Sequence, residues 1–259
     1  SERYSAIGGV QRVEHVVDDV EQLAIDVGHR RCHRLQHRIT KGADLLLHSC
    51  KATERMTAPD THYFDEEPTT ESAPRTVDLS LPDLRLRLET DRGVFGYDRI
   101  DSGTKLLLLR APTPPNTGHL LDLGCGTGAI ALTLAKRSPD ATVWAIDVNE
   151  RARSLCAANA AANGIDNVRV CAPDDIDEQI HFEAIWSNPA IRIGKPALHA
   201  MLLRWFGRLS PDGTATMVVH KHLGSDSLQR WLHEQGYPTE RLASSAGYRI
   251  LHSRLSPHR

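Results

Sequence analysis

Apolar residues recur along this chain in two periods, and from about residue 119 onward the two alternate. His119-Leu-Leu-Asp122 predicts a short strand, followed by a glycine loop and a helix over 129–136 that Ser138-Pro139 ends. Residues 142–147 predict a second strand. Asn149 is placed to cap a helix over 150–163, with Gly164 where a left-handed C-terminal cap is wanted. Residues 168–171 and 182–187 read as two more strands. A helix over 196–208 carries Leu198, Met201, Leu202, Trp205 and Phe206 on one stripe. Residues 214–219 read as a buried strand and 225–234 as a helix, and two last strands surround Arg241 and Ile250. Such alternation predicts an α/β fold with a doubly wound, mostly parallel sheet.

Upstream the texture changes. Leu84-Arg-Leu-Arg-Leu88 alternates apolar and charged residues, the pattern of a half-buried strand, and Asp101 stands as N-cap of a helix over 102–110. This predicts a small N-terminal β/α extension over 56–118, whose stretch 111–118 links it to a core over 119–259. Residues 1–55 lack Pro, Phe and Trp, and Val13, Val16, Val20, Leu23 and Val27 recur at helical spacing. Five of the 14 histidines and seven arginines fall there, read as a solvated helical face rather than a metal or RNA site. Met56-Thr-Ala-Pro-Asp reads like a natural chain start, which makes residues 1–55 an appendage outside the native product.

Composition narrows the classes. The 259 residues suit one large domain with or without a small addition, and 40% hydrophobic content supplies a sizeable core. With 31 Lys+Arg against 33 Asp+Glu, a strongly basic tail is excluded as the main source of nucleic-acid affinity, although a local basic patch is not. The longest apolar run, 106–109, is far below the ~18–20 residues of a membrane helix, and residues 1–10 carry no secretory pattern. Five scattered cysteines without a C-x-x-C pair predict neither a disulfide framework nor a metal site, and place the protein in a reducing cytoplasm.

Two stretches carry chemistry. Leu121-Asp122-Leu123-Gly124-Cys125-Gly126-Thr127-Gly128 leaves a strand and enters a helix, where glycines let a ligand approach the backbone and the helix start offers N–H groups. Asp147, near the end of the next strand, stands where a ribose hydroxyl is bound. Gly124, Gly126 and Ala129 also fit a dinucleotide fingerprint, which keeps NAD and an oxidoreductase open at this point. Against it, Asp122 would face a pyrophosphate unfavourably and an amino group well. The second stretch is Trp186-Ser187-Asn188-Pro189-Ala190-Ile191, at the end of the fourth core strand. Pro189 forces Asn188 out of the α region. An amide oxygen beside a backbone carbonyl accepts both hydrogens of one exocyclic amine, and that favours a nucleobase amine as substrate.

Together, D-L-G-C-G-T-G, Asp147 and S-N-P-x-I resemble the class I S-adenosylmethionine-dependent methyltransferases of the "methyltransferase small" type, and among them the ribosomal RNA guanine-N2-methyltransferases. The resemblance runs from about His62 to Ser253. It includes His62-Tyr63-Phe64, Thr90-Asp91-Arg92-Gly93-Val94-Phe95, Asp101-Ser102-Gly103-Thr104, Ile191-Arg192-Ile193-Gly194-Lys195, Lys221-His222-Leu223-Gly224 and Gly247-Tyr248-Arg249-Ile250. It implies a Rossmann-like fold with a seven-stranded sheet, S-adenosyl-L-methionine as cofactor, and ribosomal RNA or a ribosomal subunit as substrate. Asp122 and the backbone of Gly124, Cys125, Gly126 and Gly128 would hold the methionine moiety. Asp147 would bind the ribose, Val148 would lie against the adenine, and Asp174 or Asp175 would meet its amine. Asp101 and Thr104 would line the cofactor pocket. Asn188 and the Pro189 carbonyl would orient the target amine, with Ile191, Arg192 and Lys195 on the substrate side.

Two departures stand out. Ala190 replaces a second proline, and Ile191 stands where many relatives have an aromatic clamp, whose stacking is worth ~1–3 kcal/mol per base. The rival readings are an adenine-amine or protein-glutamine methyltransferase, and a non-catalytic RNA-binding module that keeps the fold.

Overall fold

A computed structural model of the protein describes residues 70–256. The helix read over 13–27, the boundary at 55/56 and the His62-Tyr63-Phe64 lead-in lie outside the described residues.

The described chain opens with a hairpin. In β2 (Arg85–Thr90) Leu86, Leu88 and Thr90 are buried while their neighbours face out, which is the alternation read from the sequence. Its antiparallel partner β1 (Arg75–Ser80) is an addition to the sequence reading. It alternates as well, with Val77 half-buried and Leu79 buried between exposed neighbours, but its apolar positions are few and the flanking residues polar. The hairpin is tied to the core by asparagines on α3 (Glu150–Ala162) and at its end. Asn159 accepts from Glu89 N at 2.7 Å and donates to the carbonyls of Glu89 and Thr127, both at 2.9 Å. Asn163 repeats the exchange with the backbone of Arg87. These amide side chains pair with the edge of β2 much as a further strand would.

Helix α1 (Ser102–Arg110) follows, and Asp101 is its N-cap, accepting from Thr104 N. The main sheet then forms from β3 (Thr117–Leu123), β4 (Asp140–Ile146), β5 (Val168–Cys171), β6 (Phe182–Ser187), β7 (Leu209–His220), β8 (Thr239–Ser245) and β9 (Tyr248–Arg254). Their order is β5-β4-β3-β6-β7-β9-β8. The first five in the chain run parallel, and β9 is antiparallel to both neighbours. The predicted seven-stranded, doubly wound sheet is therefore observed. Strands also exceed their predicted lengths: β3 begins at Thr117, inside the stretch read as a linker, and β7 at Leu209, because Pro211 and Gly213 read as a break yet sit inside the strand.

Burial explains why the strands read as continuous apolar runs. Leu120, Ala184, Val218 and Ile250 face the core beneath α1, α2 (Ala129–Arg137) and α3. Leu121, Ile185, Met217 and Leu251 face the opposite core, beneath α4 (Lys195–Phe206) and α5 (Ser225–Glu234). Both faces are dry, so both side-chain sets must be apolar. The strand order reverses at β3, where β3 and β6 send their following helices to opposite faces. Loops at their carboxyl ends part there and leave a crevice. Among the described residues no helix is long and apolar enough to cross a membrane.

Candidate active site

The crevice at that switch point is an open cleft lined among others by Phe95, Asp101, Thr104, Gly124, Gly126 and Asn188. Three separate segments of the chain meet there: the loop before α1, the glycine loop after β3, and the Asn-Pro turn after β6.

In the glycine loop each glycine serves a different purpose. Gly124 has φ +82°, and a Cβ built there meets nothing within 4 Å, so the backbone is a bare floor to the cleft. Gly128, at φ +92°, is instead pressed against the core: a Cβ would lie 2.8 Å from both Cys156 Sγ and Leu132 Cδ1. Open N–H groups are the sequence expectation for this loop, but four of them are already bonded. Gly124 N and Cys125 N donate to the Ile146 carbonyl, Gly128 N to Cys125 O, and Gly126 N to Asp147 Oδ2 at 2.9 Å. The loop must hold its own left-handed shape, and those bonds do it. The buried thiol of Cys125 sits beside Cys156, and this neighbour together with burial pushes its pKa up.

Asp122 is fully buried on β3, and its Oδ2 accepts from Ala131 N, 2.9 Å away in the first turn of α2. The residue before that helix is Gly128, which has no side chain to cap it, so Asp122 supplies the cap from the adjoining strand. Its other oxygen, Oδ1, is buried and has no hydrogen-bond partner among the described residues. Burial raises the carboxyl to about 8, and the charge of Asp147 adds to the rise.

Asp147 lies one residue beyond β4, not inside it, and its Oδ1 accepts from Asn149 N at 3.0 Å. Burial raises its pKa as well. Val148 beside it is exposed, an apolar surface adjoining a carboxylate. The two aspartates after β5 part company. Asp174 turns to Arg204 on α4 at 2.7 Å, whereas Asp175 folds back to accept from Ala172 N and lies near enough to add to the rise that burial gives the Cys171 thiol. Asp175 thus stays at the end of β5, next to the β4 end where Asp147 stands.

Asn188 is half-buried at the end of β6, and its Nδ2 donates to Asp101 Oδ2 at 3.1 Å and Thr104 Oγ1 at 3.0 Å. Those two acceptors fix which end of the amide faces α1, since an amide oxygen would repel the carboxylate. Oδ1 is turned the other way. Ser187 Oγ donates to the Leu123 carbonyl at 2.7 Å, clipping the two strand ends together. Ala190 (φ −69°, ψ 72°) forms an inverse γ-turn in which the Pro189 carbonyl accepts from Ile191 N at 2.8 Å, which leaves that oxygen a second lone pair. Ile191, read as a substrate contact, is half-buried and packs against the α4–α5 core. Lys195 opens α4 in an exposed position. The side chain of Arg192 is not among those described.

The model of the methyltransferase small domain matches residues 85–252, the greater part of the chain. This protein belongs to that family. Over 193 residues it is 35% identical to the uncharacterized protein YbxB of Bacillus subtilis, covering 73% of this chain and 96% of that one. It is similar to the ribosomal RNA small subunit methyltransferase C of Shewanella loihica, at 35% identity over 159 residues, covering 59% of this chain and 46% of the relative. The Pseudomonas aeruginosa relative of that name is 33% identical over 195 residues, covering 73% and 57%. The chain thus spans about half the length of these methyltransferase C relatives and nearly all of YbxB. Among solved structures, the T. thermophilus 16S rRNA N2 G1207 methyltransferase, in complex with AdoMet and guanosine, superposes with a TM-score of 0.63 at 22% identity, covering 73% of this chain and 52% of that one. At that identity the likeness shows the class I methyltransferase fold.

Within this methyltransferase small domain, Tyr248 is the site residue that reading the sequence did not single out. It starts β9, and its hydroxyl donates to Asp101 Oδ1 at 3.2 Å. The sequence shows it only within Gly247-Tyr248-Arg249-Ile250, and nothing local marks its role, because its partner lies 147 positions earlier. Asp101 and Thr104 were read as cofactor-lining. What the structure shows is their grip on the amide of Asn188.

Proposed function

We propose that this protein is an S-adenosylmethionine-dependent N-methyltransferase that acts in the cytoplasm on the exocyclic 2-amino group of a guanine in ribosomal RNA. The observation that carries the reading is the pinned amide of Asn188. With Nδ2 held by Asp101 and Thr104, Oδ1 is a fixed acceptor beside the Pro189 carbonyl.

The residues of the cleft suit the cofactor. Gly124 offers a floor on which a side chain would intrude, Asp122 Oδ1 is a buried oxygen without a partner whose carboxyl would ionise to meet a cationic amino group, and Asp147 with exposed Val148 suits a ribose and a flat base. Asp175, at the end of β5, is the better placed of the two aspartates for an adenine amine. When bound, S-adenosylmethionine supplies an electrophilic methyl group on a sulfonium. Asn188 Oδ1 and the Pro189 carbonyl accept the two amine hydrogens and turn the nitrogen lone pair toward that methyl. The barrier is lowered by positioning more than by acid–base help. The product cation then sheds its proton to water.

The relatives named for ribosomal RNA small subunit methylation support RNA as the substrate. The test is methyl transfer to ribosomal RNA or ribosomal subunits, followed by mass spectrometry of the nucleosides. N2-methylguanosine is the expected product. N6-methyladenosine or a methylated glutamine would redirect the assignment to another amine. Cofactor binding without any transfer would point to a non-catalytic RNA-binding module.

A further inference from the structure

We propose that Tyr248 is a positioning residue for Asn188, acting through Asp101. The proposal rests on the reading of Asn188 as the acceptor for the target amine, and it adds a third tier to that arrangement. Asp101 divides three donors between its two oxygens: Oδ2 accepts from Asn188 Nδ2 and Thr104 N, both at 3.1 Å, and Oδ1 accepts from Tyr248 Oη at 3.2 Å. A carboxylate free to rotate would present either oxygen to Asn188 at varying angles. Bonded on Oδ1, it has one orientation, and the amide inherits it.

The chain is arranged to bring this phenol in. Gly103 has ordinary backbone angles and does not need glycine for its conformation. A Cβ there would lie 2.7 and 2.8 Å from Tyr248 ring carbons and 2.8 Å from Asp101 Oδ2. Glycine at 103 therefore makes room for the ring over the first turn of α1. On its other side the ring meets His220 edge-on, with centroids 4.9 Å apart, and His220 is the β7 residue paired with Tyr248 across the sheet. The turn before Tyr248 has Ala246 at φ +48° and Gly247 at φ +83°, and Gly247 O accepts from Lys221 N at 2.8 Å. Burial and the neighbouring Asp101 push the phenol pKa up, so it remains a donor at neutral pH.

The experiment uses the full chain and the variants Tyr248→Phe, Asn188→Ala and the double variant. Phenylalanine keeps the ring packing and removes only the donor. The side-chain amide signal of Asn188, assigned by its loss in Asn188→Ala, is followed by ¹⁵N NMR. In Tyr248→Phe it is expected to shift and to exchange faster with solvent, with the fold retained and S-adenosylmethionine affinity within a few-fold. Turnover on ribosomal RNA is expected to fall about tenfold or more in Tyr248→Phe, as for a lost bond to a charged group, and to fall no further when the change is made in the Asn188→Ala background. An Asn188 amide signal that does not move, or an equal loss of turnover in both backgrounds, overturns the proposal. If the wild-type protein transfers no methyl to RNA, the functional reading fails, and the amide signal still decides whether Tyr248 orients Asn188.

Discussion

Asn188 and Asp101 stand 87 positions apart in the chain, and in the fold the carboxylate accepts the amide at 3.1 Å. Together with the bond from the same Nδ2 to Thr104 Oγ1, that contact joins the end of β6 to the start of α1 and turns an Asn-Pro turn into an acceptor of fixed direction. Asn188→Ala is expected to leave S-adenosylmethionine affinity within a few-fold and to lower methyl transfer by orders of magnitude, because the lost bond matters most in the transition state. Asp101→Ala should reproduce much of that loss and also weaken the fold by about 1 kcal/mol, since Asp101 is the N-cap of α1. Steady-state kinetics with calorimetry checks the first and urea unfolding the second. Near wild-type turnover in Asn188→Ala would end the amine-acceptor mechanism.

The glycine loop gives a contrast between two similar changes. Gly124→Ala enters open space at the cleft floor and bears only the strain of its left-handed φ, so the protein should fold with a small loss of stability and lose cofactor affinity. Gly128→Ala drives a methyl into Cys156 and Leu132 at a left-handed φ, so it should lose about 1–3 kcal/mol of stability or more. Calorimetry and thermal melts on both variants separate the outcomes, and equal effects on both would refute the division of roles.

Asp122 makes stability depend on pH. Its carboxyl is raised by burial to about 8 from the ordinary 3.8, so between those values the folded protein keeps a proton the unfolded chain has released. Stability therefore falls as pH rises through that window. Asp122→Asn keeps an amide oxygen for Ala131 N and removes the titration, leaving the smaller fall due to Asp147. Urea midpoints across the window should show a shallower slope in the variant. Identical slopes would mean that Asp122 does not hold that proton.

Ala190 already has the φ of a proline, −69°, within the turn that presents the Pro189 carbonyl. Ala190→Pro should thus be accepted without strain and stabilise the protein by roughly 0.4–1 kcal/mol by restricting the unfolded chain. Turnover should be retained. A melting temperature below wild type would show that the loop needs the freedom alanine gives it.

Much of this molecule was legible locally. Asp101 before 102–110 and Asn149 before 150–162 announce helix starts, because a cap side chain bonds the N–H groups two or three residues on, wherever the rest of the chain goes. The strands of the core were readable for a similar reason, since burial on both faces leaves unbroken apolar runs. Even the glycine loop and the Asn188-Pro189 pair were visible as chemistry. The tertiary structure alone decided what these groups do to one another. Asp122 caps a helix that starts seven residues later, Gly128 serves packing against Cys156, and Ile191 turns into the core. Asn159 and Asn163 bind the edge of a strand 70 and 76 residues away, and Tyr248 reaches Asp101 across 147. Such contacts leave no period and no spacing in a sequence, because a hydrogen bond between distant residues depends on where the sheet order brings them. That order, with β9 inserted between β7 and β8, is set by packing of the whole sheet.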